Sequence, residues 1–197
     1  LSRAVGPTGF VYAYEPQRIV FQTLCANLAL NSRVNVDARC AAVGAESGFV
    51  LLPDFEYAHE GNFGGIEASG YPEGRKVPKI TLDTDLDLTR LDLIKIDVEG
   101  MELDVLKGAQ QLLRRFTPVI YVENDRPEKS EALIRHLLAL DYRLFWHAPP
   151  LFNPENFYEV RENAFGRVVS LNMLCLPRGK HSIEGLEEIT DPAQPSP

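Results

Sequence analysis

Apolar residues along this chain fall in two alternating rhythms, short runs rich in β-branched residues and longer stretches at helical spacing. Phe10 to Tyr14 is a short apolar run that stops at Glu15-Pro16 and reads as a strand. Gln17 to Asn31 follows as a helix, with Val20, Phe21, Leu24 and Leu28 on one stripe. Val34 to Val43 returns to strand character, and Gly44 to Gly48 turns it into a second extended piece, Phe49 to Leu52. From Pro53 to Pro78 the glycines (Gly61, Gly64, Gly65, Gly70 and Gly74) and Pro72 predict a long excursion with at most a short strand near Ile66. Long ordered loops are often functional.

The second half continues the alternation. Lys79 to Leu82 reads as a brief strand and Asp92 to Val98 as one covered on both faces, because Ile94, Ile96 and Val98 give it the character of a buried parallel strand. Glu99 to Phe116 is predicted as one helix, with Met101, Val105, Leu106, Ala109, Leu112 and Leu113 on its stripe. Pro118 to Glu123 is the next strand, Glu128 to Leu140 an amphipathic helix, and Tyr142 to His147 with Ser170 to Leu176 a closing antiparallel pair. Strands separated by helical crossovers lie parallel, so the pattern predicts an α/β fold with a mostly parallel sheet and helices on both faces. One domain is expected over residues 1–180, followed by an acidic, proline-containing tail, 181–197, expected to be disordered.

Composition narrows the partners. The 197 residues, 45% hydrophobic and 24% charged, suffice for one domain with a sizeable core. A formal net charge of -8 argues against a nucleic-acid surface, which needs clustered Lys and Arg. No apolar run has the length of a bilayer span, and no signal-peptide pattern opens the chain, so neither membrane insertion nor export is expected. Cys25, Cys40 and Cys175 are isolated and read as reduced, mostly buried thiols of a cytoplasmic protein, without the spacing of a zinc site or disulfide framework.

The candidate chemistry sits at strand ends. Ligands of open α/β sheets bind in the crevice outside the carboxyl ends of the strands. Asp97 and Glu99 lie there, as does Glu123, while Lys95, within an apolar strand, needs an acidic partner. Two readings of these acids stay open: a site, or a helix N-terminus favoured by Glu99 and Glu102 with a buried hydrogen bond at Asp97. Gly100 suits a close backbone approach and Gly108 tight packing. The excursion from Trp146 to Asn163 holds His147, Asn153 and Asn156, and could cover an acceptor pocket. His147 is the histidine to test as a base, since His59, His136 and His181 read as surface residues. Asn62 and Gly64-Gly65 could belong to a substrate-side loop. No metal is required, although Asp97 and Glu123 could share one if the strands bring them together.

Three blocks carry a family resemblance: Val11-Tyr12-Ala13-Tyr14-Glu15-Pro16, Ile80-Thr81-Leu82-Asp83, and the specific one, Asp92 through Ile96-Asp97-Val98-Glu99-Gly100 to Leu106-Lys107-Gly108-Ala109. Together they resemble the FkbM family of S-adenosylmethionine-dependent methyltransferases, from about the first residue to Pro177. The resemblance implies a Rossmann-like class I methyltransferase sheet closed by an antiparallel strand, S-adenosyl-L-methionine as cofactor, and O-methylation of a hydroxyl on a sugar or other small-molecule or glycan acceptor. It implies that Glu15, followed by Pro16, binds the cofactor ribose through both hydroxyls. Ala41, Ala42 and Val43 would face the adenine, with core packing an equal alternative. Asp97 and Glu99 would either stabilise the cofactor's positive charge or take the acceptor's proton. Lys95, Glu123, Asn153 and Asn156 are expected on the substrate side. The family's Asp-x-Gly-x-x-x-Gly turn has no counterpart here, and Leu1 to Gly9 reads as the end of a helix and a loop, so the chain is expected to begin inside a domain whose first strand is missing. Two other readings remain: a noncatalytic Rossmann-like binding module, and a dinucleotide-dependent Rossmann enzyme with Glu15 on the adenosine ribose.

Overall fold

A computed structural model describes every residue except 54, 60–62, 68–69, 181 and 195. The chain forms two compact units, one of residues Leu1–Asp87 with Asp104–Gln110 and the other of Leu88–Leu103 with Gln111–Pro197.

In the first unit, β1 (Val11–Tyr14) pairs in parallel with β2 (Val36–Arg39), joined by helix α1 (Arg18–Leu30). The stripe of α1 is only half covered, with no residue of the helix fully buried. The predicted strand Val34 to Val43 divides in two. Ala41 N donates back to Arg39 O at 3.1 Å, a tight turn that ends the β1 ladder. The next strand, β3 (Ala42–Val43), joins a different sheet, parallel to β5 (Arg75–Ile80). β4 (Gly48–Leu52) runs antiparallel on the other side of β5. Ile66 lies outside any strand, so the excursion ends in a longer β5 in place of the short strand expected there. Helix α2 (Leu82–Asp85) is capped by Thr81, whose hydroxyl accepts from Thr84 N. Asp85 also receives Tyr14 Oη at 2.6 Å and the Arg39 guanidinium, which ties α2 to the β1–β2 pair.

The predicted helix Glu99 to Phe116 is broken into α3 (Glu102–Lys107) and α4 (Gln110–Phe116). Gly108 sits between them. A Cβ there would lie 2.1 Å from Gly44 O and 3.3 Å from the Thr81 Cβ, and the Gly108 carbonyl accepts from Asp83 N. The tight packing expected of Gly108 is thus real, but it occurs at a helix break.

The second unit carries a five-stranded sheet in the order β10-β8-β9-β7-β6. Its members are β6 (Leu93–Ile96), β7 (Val119–Glu123), β8 (Tyr142–His147), β9 (Asn172–Pro177) and β10 (Glu188–Ile189), with α5 (Pro127–Ala139) between β7 and β8. β6 and β7 are parallel, and β9 lies antiparallel between β7 and β8. Over both units the described ladders are more antiparallel than the expected parallel majority, because the β4–β5 hairpin, β9 and β10 all add reversed pairs.

One face of this sheet is dry: Ile96, Ile120, Val122, Met173, Cys175, Leu144 and Trp146 are all buried. β6, expected to be covered on both faces, is the terminal strand of the sheet, with Leu93 and Lys95 exposed and only Ile96 buried. Charged edge positions of this kind discourage strand addition. The tail does not simply fray, since Ile189 is buried in β10 and Arg143 holds Glu188 in a two-pronged ion pair of 3.0 and 2.6 Å. The three cysteines are free, but only Cys175 is buried and Cys40 is exposed, against the expectation of mostly buried thiols.

Candidate active site

In the first unit the candidate is Glu15, immediately after β1. Its Oε1 accepts from Gln17 N at 2.7 Å, so one oxygen serves the start of α1. Burial pushes the Glu15 carboxyl above its ordinary pKa, and the Gln17 bond only partly opposes this. Pro16 precedes the helix and does not open it, since α1 begins at Arg18. Beside it lies a shallow, open groove with Ile19, Leu52, Phe55, Tyr57 and Val77 on its walls.

In the second unit the strand-end acids converge. Ligand oxygens of Asp97, Glu99 and Glu123 lie within 4.8 Å of one another. Two of the three already have cations: Lys95 Nζ is 2.6 Å from Asp97 and Arg126 Nη2 is 2.7 Å from Glu99. Lys95 thus has the acidic partner that its strand position demands. Unit charges at this separation repel by roughly 3 kcal/mol per pair at an effective dielectric near 20. The third acid resolves this by keeping its proton. Burial, then the negative charge of Asp97, Asp125 and Glu99, pushes Glu123 up to about 8, and its Oε2 is enclosed without a hydrogen-bond partner. Glu99 is also raised, chiefly by burial, against the pull of Arg126.

The backbone at this point departs from the predicted helix. Glu99 has φ +53° and Gly100 φ +96°, a left-handed turn between β6 and α3. Glu102 takes the N-terminal role instead: it is buried and accepts from Gly100 N at 2.8 Å. Asp97 itself is exposed and is held by Lys95. Gly100 meets the close approach expected of it, with Lys129 Nζ donating to its carbonyl at 2.9 Å.

The register of the sheet adds a residue that the sequence did not single out. Glu123 pairs with Asn172, and Asn172 with His147, so the three share one row and one face. Tyr121, two residues before Glu123 on that face, places its hydroxyl 2.8 Å from His147 Nδ1, with the rings edge to face. β6, β7 and β8 run in one direction, and their carboxyl ends carry Asp97, Glu123 and His147. An acidic cluster and a Tyr–His pair at that edge can hold a positive charge, share a proton, or accept one from a hydroxyl. The three carboxylates are also hard oxygen ligands of the type magnesium or calcium takes, although Lys95 and Arg126 compete with that use.

Residues 1–144 match the family described as the Methyltransferase FkbM domain. The chain belongs to the FkbM methyltransferase family. A relative named methyltransferase sdnD, from Sordaria araneosa, is 27% identical over 173 residues, covering 67% of this chain and 63% of that protein. The crystal structure of methyltransferase FkbM from Methylobacillus flagellatus KT superposes with a TM-score of 0.56 at 18% identity, covering 84% of this chain and 36% of that one. The chain therefore spans under two thirds of the length of each, and the structural likeness establishes a shared mixed α/β fold.

In this FkbM chain the remaining candidates lie in the core or in loop segments. Ala41, Ala42 and Val43 are all buried, and Ala42 at 2% exposure favours core packing. Asn153 and Asn156 brace the excursion through local turns, accepting from Glu155 N and Val160 N, with Asn156 also donating to Val160 O. His59 is exposed as expected, whereas His136 is half-buried on α5. Gly64 and Gly65 form a turn; Asn62 and His181 lie outside the described residues. No helix among the described residues is long and apolar enough to cross a membrane.

Proposed function

We propose that this chain belongs to an S-adenosylmethionine-dependent O-methyltransferase whose acceptor is a hydroxyl on a sugar or other small metabolite. The observation that carries the reading is the match of residues 1–144 to the FkbM methyltransferase domain. The sheet is read as the class I, Rossmann-like methyltransferase type, which the reversed β9 between β7 and β8 supports.

S-adenosylmethionine supplies, when bound, a methyl group already activated on a sulfonium. The work left to the protein is positioning, charge complementarity and removal of one proton. In the first unit Glu15 accepts hydrogen bonds from the two vicinal hydroxyls of the ribose, a use that fits a half-buried carboxylate tethered by Gln17 N. In the second unit Glu123 holds a proton beside Asp97 and Glu99, so the cluster attracts cationic groups without the full repulsion of three carboxylates. His147 is the base. If Nδ1–H donates to Tyr121 Oη, its Nε2 would keep a lone pair to accept the proton of the acceptor hydroxyl. Tyr121 is a positioning residue in this scheme, fixing the ring and its tautomer.

Calorimetry with S-adenosylhomocysteine tests the cofactor assignment. The protein should bind it, and Glu15→Ala should weaken binding by roughly 10- to 100-fold, the scale of one or two hydrogen bonds to a charged group. Binding of NADH without any binding of S-adenosylhomocysteine would overturn the assignment in favour of a dinucleotide enzyme.

A further inference from the structure

We propose that the excursion between β8 and β9, residues 148–171, is an arm that joins two copies of this chain about a two-fold axis. The arm is built, not frayed. Leu151 N donates to Val168 O at 3.0 Å, Ser170 N to Pro149 O at 3.0 Å, and the Asn153, Asn156 and Asn163 side chains close successive turns. Yet this braced segment turns its apolar side chains outward. Phe157 is 92% exposed and Tyr158 83%, with Leu151, Val160, Phe165 and Val168 each about half exposed. The two rings stack edge to face at 5.3 Å, holding each other in place where no core covers them.

Area argues for a protein partner. With whole aromatic side chains presenting roughly 150–250 Å² each, these six residues offer on the order of 700 Å². That exceeds the few hundred Å² of an ordinary surface patch and approaches the roughly 800 Å² per partner of a stable interface.

Charge argues that the partner is a second copy. The chain carries a net -8, so two copies repel over most of their surfaces. The arm is nearly neutral, with Glu155, Glu159 and Glu162 against Arg161 and Arg167. None of the five forms an ion pair within the chain among the described residues. A set of unpaired charges of both signs around an apolar centre complements itself across a two-fold, where Arg161 and Arg167 of one copy meet glutamates of the other. A strongly basic or acidic partner would instead select a face of one sign. This inference does not rest on the methyltransferase reading.

Light scattering behind size exclusion, on the 197-residue chain at micromolar concentrations, tests it. Twice the chain mass is expected. The double variant Phe157→Ser, Tyr158→Ser should run as a monomer that still melts cooperatively, since neither side chain supports the core, and its melting temperature, unlike the native one, should not depend on protein concentration. Arg161→Glu should weaken the dimer by about tenfold or more, and mixing it with a Glu159→Arg, Glu162→Arg chain should restore pairing. A native chain that stays monomeric overturns the proposal, as does a dimer indifferent to the double variant. A monomer whose double variant loses methyl transfer would make the arm part of the acceptor site and would equally overturn it.

Discussion

Glu123 concentrates the chemistry of the second unit in one carboxyl group. Its folded pKa, near 8, lies above the ordinary carboxyl value because of burial and its acidic neighbours, so the folded chain holds a proton that the unfolded chain gives up. By linkage its contribution to stability is fully present below the unfolded pKa, near 4.5, and is lost as pH rises towards 8. Melting temperatures measured from pH 5 to 9 should therefore fall more steeply for the native chain than for Glu123→Gln, which is neutral throughout and keeps a similar shape. Parallel curves for the two proteins would place the proton elsewhere. The acids themselves were legible in the sequence because they end apolar strands. Their convergence was not, since it depends on the β6–β7 register and on a left-handed Glu99 that local propensity opposes. Tyr121 was hidden for a similar reason: only the two-strand offset across β9 brings it to His147.

At the scale of elements, Gly108 is the most constrained junction. The backbone of Gly44 stands where a Cβ would go and cannot move as a flexible side chain could. Gly108→Ala should cost about 1–3 kcal/mol, the usual penalty of overpacking. For a chain of this size that is a fall of roughly 3–10 °C in melting temperature. An unchanged melting temperature would mean that the α3–α4 break is not fixed by this contact. Periodicity found β1, α1, β7, α5 and β8 nearly to the residue because each has a clean rhythm and ordinary ends. It merged α3 with α4 because the stripe from Met101 to Leu113 continues across the break, and the signal for the break is a contact 64 residues away in sequence, with Gly44. It read β6 as buried because Ile94 and Ile96 look the same in a central strand and in a terminal one. β10 escaped because two residues in an acidic tail carry no period, whereas Arg143 supplies their anchor from β8.

For the molecule as a whole, family membership in the FkbM methyltransferases and a mixed α/β fold stand on the comparisons, and the strand-end block around Asp97 already pointed there. Length and charge did not identify the acceptor, because acceptor contacts come from loops whose chemistry is not periodic. The central claim is methyl transfer to an oxygen, with Glu15 on the cofactor and His147 on the proton. The most direct test is transfer of an isotopically labelled methyl group from S-adenosylmethionine to a panel of glycosides and small hydroxylated metabolites, with the linkage of the product read by mass spectrometry and NMR. The account predicts label in an O-methyl ether, with KM for S-adenosylmethionine raised roughly 10- to 100-fold in Glu15→Ala and, for His147→Ala, a large loss of kcat with little change in KM. Label on nitrogen or carbon, or O-methylation that proceeds unchanged in both variants, would contradict it.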